Sequence, residues 1–198
     1  MALAASLVGW GGFVGPRLAP RWQVPVHAAL STALVLAAGA PLGLRPPALG
    51  RGLRLGLAVA GAVATAVTAT TAAPVVRRGM AARDLPEPAV WLLLRIPIGT
   101  VWSEEAAFRA ALGSVADGAF GPVRGRVVQS AAFGLSHVAD ARRAGEPVLG
   151  TVLMTGVAGW AFGWLYARSG SLAASMLAHL AINEAGAVAA LAVQRAAR

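Results

Sequence analysis

The chain has 198 residues, of which 57% are hydrophobic and only 13% charged, and its mean hydropathy is +0.66. An ordinary soluble domain carries about 25% charged residues, so a large soluble domain is excluded and one integral membrane domain is expected. The net charge of +9 comes entirely from arginine; the absence of cysteine excludes disulfides, thiolate metal sites, a cysteine nucleophile and lipidation on cysteine.

Apolar stretches long enough to cross roughly 30 Å of hydrocarbon recur along the whole chain. Breaks rich in Pro, Gly and Arg separate them near 16–21, 44–52, 74–88, 117–122, 140–147 and 168–170. The pattern predicts an all-α fold, a polytopic membrane helix bundle of about seven transmembrane helices (range 6–8), over 2–15, 22–43, 53–73, 88–116, 122–139, 147–167 and 170–194. The first stretch lacks a basic n-region and a clear small-residue cleavage site, so it reads as a membrane segment rather than a removed signal peptide. The longest polar break, 74–88, divides a single membrane-embedded unit into two parts. Residues 1–87 carry no polar signature; residues 88–198 carry all of them. No repeat is visible.

A pI of 11.8 in a soluble protein would point to nucleic acid. Here the arginines lie mostly in short breaks with no contiguous basic face, which fits anionic headgroups and topology instead; nucleic acid is not an expected partner. With seven crossings, nine arginines including Arg77, Arg142, Arg195 and Arg198 fall on one side and six on the other, placing the C-terminus in the cytoplasm by the positive-inside rule. The expected location is a prokaryotic plasma membrane, as a multi-pass protein. Gly11/Gly15, Gly52/Gly56 and Gly159/Gly163 are spaced to let helix backbones approach closely, as ordinary packing.

Three polar signatures interrupt the apolar stretches: Glu104-Glu105-x-x-x-Arg109, Phe133-x-x-x-His137 and His179-x-x-x-Asn183. An ionisable group near the middle of an inserted helix costs roughly 2.5–3.5 kcal/mol, so such groups mark function. Residues four apart share a helix face. Glu105 and Arg109 can therefore pair along their own helix as a neutralising structural pair, whereas Glu104 points about 100° away and has no local partner. A weakly paired, desolvated carboxylate gains proton affinity, which makes Glu104 the better candidate base. His179 and Asn183 present an imidazole and an amide to one spot, and Phe133 packs beside His137. If 88–116 and 122–139 form a hairpin about the turn at 117–122, Glu104 and His137 lie equidistant from its midpoint and face each other.

A carboxylate and an imidazole sharing one water can remove its proton and aim the oxygen at a carbonyl. A second imidazole with an amide can donate to the resulting oxyanion. That is peptide-bond hydrolysis without a protein nucleophile. The alternative uses Glu104, His137 and His179 as ligands of a zinc ion that activates the water; the H-E-x-x-H arrangement is absent, and metal use stays open.

At these residues the chain resembles the CPBP family, also called ABI or CAAX-protease-like, whose best-known members are type II CAAX prenyl endopeptidases. The family pattern E-E-x-x-x-R, F-x-x-x-H and H-x-x-x-N occurs here in order as SEEAAFR, FGLSH and HLAIN. The flank from Leu165 to Leu172 is also similar. The resemblance covers roughly Pro88 to the end and departs at Ala110, where many members have glycine, a packing difference. It implies a CAAX-protease-like core and an intramembrane protease, glutamate-dependent or metallo-. By analogy, Glu104 and His137 activate water, His179 and Asn183 stabilise the oxyanion, and Glu105, Arg109 and Phe133 support the site. The implied partners are membrane lipid and a peptide or protein substrate, membrane-anchored or prenylated.

Two other classes compete. A non-catalytic immunity or adaptor protein of the same family would use the polar set to bind a partner. A small proton-coupled transporter would use Glu104 and the histidines as a relay, though no inverted repeat or paired broken helices support it. His27 has no polar companion at helical spacing and reads as interfacial or structural. Arg95 and Glu184 lie close enough in sequence to the signatures to tune their charge. Trp91, Trp102, Trp160 and Trp164 read as packing or interfacial residues.

Overall fold

The computed structural model describes residues 1–197; Arg198, counted above among the cytoplasmic arginines, lies outside them. Among the described residues there is no strand. The helices in chain order are α1 (Ala2–Gly9, running on through Trp10–Val14), α2 (Pro20–Ala38), α3 (Ala48–Thr71), α4 (Pro74–Ala81), α5 (88–120), α6 (Pro122–Ser136), α7 (Val138–Ala144), α8 (Val148–Ser169) and α9 (Leu172–Ala196).

Three of these, α3, α8 and α9, are long and apolar enough to cross a membrane. The seven crossings expected from the apolar stretches do not map one to one onto helices, because α4 and α7 form inside stretches expected to be breaks. Pro74 starts α4 at a position where its missing N–H is no loss, and α7 restarts the chain after a kink at His137.

Side chains sort as they do in lipid rather than in water. Leu36 and Leu93 are each 76% exposed, while Ala106, Ala110 and Ala111 are fully buried. Large apolar groups face outward and small ones let the backbones close up. Ala110 packs against Val35 and Leu172.

The glycine pairs read from sequence as packing residues do meet other helices. A Cβ at Gly56 would stand 2.9 Å from Leu177 Cδ1, one at Gly159 2.8 Å from Phe133 Cδ1, and one at Gly11 3.0 Å from the Ser136 carbonyl. Thus α3 lies directly on α9, α8 on α6, and α1 on the end of α6.

The site hangs on the hairpin of α5 and α6. Glu87 opens α5, its carboxylate accepting from the backbone N–H of Ala89 and Val90, which holds it below the usual carboxylate range. Gly121, at φ +78°, makes the turn that Pro122 converts into the first residue of α6. Phe108 and Phe133 meet edge to face at 5.1 Å, one helical turn closer to that turn than Glu104 and His137. The hairpin and its predicted register are therefore present.

Much of α5 is wound more loosely than an α-helix, with i→i+5 bonding over Trp91–Trp102 and Glu105–Leu112. Pro97 lies inside the first of these; it cannot donate, and its ring would clash with the carbonyl four residues back in a regular α-helix. Ser103 Oγ bonds the Ile98 carbonyl five residues back, following the same winding. Such wide turns recur at functional sites.

Candidate functional site

Glu105 and Arg109 are both fully buried. Their pairing, anticipated from the four-residue spacing, is present: Glu105 Oε2 lies 3.3 Å from Arg109 Nε. The other carboxylate oxygen, Oε1, accepts from His179 Nδ1 at 2.9 Å. One carboxylate thus neutralises a guanidinium on its own helix and orients an imidazole on α9. A carboxylate only accepts, so His179 carries its proton on Nδ1, and its Nε2 lies 3.8 Å from Glu104 Oε2.

A buried guanidinium is costly unless its charge is met on several sides. Arg109 has the Phe133 ring at 3.9 Å and the Phe162 ring at 5.1 Å, in addition to Glu105. Phe162 also stacks on His179, with centroids 4.9 Å apart and planes 21° apart. Phe133 meets His137 edge to face at 4.7 Å. Glycine at 159 is what lets Phe133 occupy this position.

His137 does not continue a helix, as the sequence implied by running 122–139 as one element. It sits at φ −87°, ψ 0°, the sparsely populated bridge region where many active-site residues are found. Its Nδ1 takes the Phe133 carbonyl at 2.7 Å, the acceptor that its own backbone N–H would use in a continuing helix; that N–H goes instead to Gly134. A carbonyl only accepts, so Nδ1 is the protonated nitrogen and Nε2 keeps a free lone pair.

A cavity of about 400 Å³ opens beside these residues and is lined by Glu104, His137, Asn183, His27, Arg95 and Asp140, among others. Glu104 Oε2 is buried and makes no hydrogen bond. Asn183 donates one amide proton to the His179 carbonyl at 3.1 Å, leaving its second proton and its oxygen uncommitted. His179 does not line the cavity, so its imidazole and the Asn183 amide do not meet there; its Nε2 lies 3.8 Å from Glu104 Oε2. Glu184, by contrast, lies in a separate groove with Thr68 and Arg77.

Among the described residues, no three His, Cys, Asp or Glu side chains are grouped to hold a metal ion. Of the three residues named as possible zinc ligands, Glu104 and His179 approach each other, with 3.8 Å between Oε2 and Nε2.

Two contributors escape sequence reasoning. Phe162 carries no motif, and its place between Arg109 and His179 exists only once α8 packs on α6 and α9. His27 has no companion along its own helix but faces the same cavity as Glu104.

Among known families, the one described as Type II CAAX prenyl endopeptidase Rce1-like matches residues 86–185, a stretch that holds every residue from Glu104 to Asn183. No curated protein and no solved structure matches the chain.

Proposed function

Because the chain belongs to the type II CAAX prenyl endopeptidase Rce1-like family, we propose that it is an intramembrane endopeptidase that hydrolyses a peptide bond with water activated by Glu104 and His137. The observation that carries this reading is the Glu104 carboxylate, whose Oε2 is buried without a partner on a cavity shared with His137 and Asn183.

Water entering the cavity gives a proton to Glu104 and directs its oxygen at the substrate carbonyl, with the His137 Nε2 lone pair accepting its second hydrogen. The new C–O bond places negative charge on the former carbonyl oxygen. The free amide proton of Asn183 donates to that oxyanion, and His179, held by Glu105 through Nδ1, lies beside Glu104 and supports the site from outside the cavity. Collapse breaks the C–N bond, and the leaving amine takes the proton held by Glu104. Glu105 and Arg109 keep His179 in place throughout, with Phe133 and Phe162 screening the guanidinium.

The substrate class that fits is a membrane-anchored or prenylated peptide or protein reaching the cavity from the lipid. Cleavage in heavy-oxygen water tests the chemistry: the new carboxyl group acquires one labelled oxygen in a single turnover and no peptide becomes attached to the chain. A trapped covalent peptide adduct would refute hydrolysis by free water.

A further inference from the structure

His27 lies on α2, outside the matched stretch, and nothing in the polar signatures involves it. In the fold His27 lines the cavity that Glu104, His137 and Asn183 also line. Its surroundings place it closely: Trp10 meets the ring edge to face at 6.0 Å, and a Cβ at Gly15 would stand 2.9 Å from Nε2.

An imidazole kept for structural reasons is normally hydrogen-bonded, because a buried polar atom without a partner loses its solvation. His27 makes no hydrogen bond with the described residues, and its Nε2 is buried and unpartnered. Glu104 Oε2 is in the same condition on the same cavity. Two orphaned polar groups, one that can donate and one that accepts, bordering one cavity are complementary to a ligand that offers both a carbonyl and an N–H. A peptide backbone offers both.

We infer that His27 is a substrate-binding residue of this site, holding a backbone carbonyl of the peptide while Glu104 works on the bond. The inference rests on the endopeptidase reading for the identity of the ligand. It assigns a purpose to the N-terminal segment: α1 supplies Trp10 and the turn after it Gly15 to fix the ring, and α2 supplies the ring itself. The nature of the group also sets the specificity. A neutral imidazole bonds a backbone group without regard to side chain, so His27 contributes affinity for an extended peptide and little discrimination between sequences.

The test uses the full chain in detergent micelles and a fluorescently labelled peptide ending in a farnesylated cysteine and three further residues. Binding is read by anisotropy in a Glu104→Gln background, where the peptide stays intact. His27→Ala in that background is expected to weaken binding roughly tenfold, His27→Gln to retain most of it, and Gly15→Ala, which drives a methyl group into the ring, to reproduce the His27→Ala loss. Equal affinity with and without His27→Ala, or no binding by the Glu104→Gln parent, overturns the assignment. Hydrolysis by the chain with Glu104 intact is measured separately. Absent hydrolysis with His27-dependent binding would defeat the endopeptidase reading and leave the binding site standing. Hydrolysis with an unchanged KM in His27→Ala would do the reverse.

Discussion

His179 Nδ1 is bonded to Glu105 Oε1 at 2.9 Å, so the second glutamate of the pair, and not the first, holds the imidazole of the third signature. The same carboxylate meets Arg109 on its other side. The arrangement separates two tasks between adjacent residues. Glu105 meets Arg109 with one oxygen and His179 with the other, whereas Glu104 Oε2 makes no hydrogen bond and has His179 Nε2 at 3.8 Å.

Removing the charge from Glu105 leaves Arg109 buried with aromatic faces and no anion. Glu105→Gln is expected to cost about 3–5 kcal/mol of stability, the range for breaking a buried pair from one side. Glu105→Gln combined with Arg109→Met is expected to recover a large part of that loss. Reversible unfolding in mixed micelles measures both; strictly additive losses would show that the two side chains do not depend on each other.

Gly159 is in contact with Phe133, where an added methyl would meet the ring at 2.8 Å. Gly159→Ala is expected to destabilise by about 1–3 kcal/mol through overpacking. Because the displaced ring also touches Arg109 and His137, cleavage is expected to fall with stability. Gly61→Ala, at a position with no atom in reach of a new Cβ, serves as the comparison and is expected to change neither. Thermal unfolding with parallel rate measurements checks the pair.

The described acidic and imidazole groups do not assemble as a three-ligand metal site. If Glu104 activates water without a metal, purified protein carries far less than one zinc per chain by elemental analysis, and peptide cleavage survives a zinc chelator. Loss of cleavage with the chelator, restored by zinc alone, would show that Glu104, His137 and His179 close around a metal in solution.

Much of this arrangement was legible before any coordinates, for a physical reason: it depends on spacing within single helices and on one turn. The Glu105–Arg109 pair and the Phe133–His137 contact follow from residues that share a helix face. The facing of α5 and α6 follows from Gly121-Pro122. What was not legible depends on contacts between helices or on local backbone competition. The capture of His179 by Glu105 requires α9 to dock against α5. At the kink, the His137 ring and the Ser136 hydroxyl both bond the Phe133 carbonyl that the backbone N–H of His137 would take in a continuing helix. The loose winding around Pro97 alters which residues share a face, and no periodicity in the sequence announces it. His27 looked isolated because its companions lie on other helices.

The role of Glu104 is tested most directly by the rate at which the chain, reconstituted in liposomes, cleaves a membrane-anchored peptide with and without Glu104→Gln. The substitution keeps size and shape while removing the proton acceptor, so cleavage is expected to fall by about 10²–10⁴-fold with insertion and unfolding unchanged. Cleavage by Glu104→Gln at the unmodified rate would contradict the assignment of this carboxylate as the base.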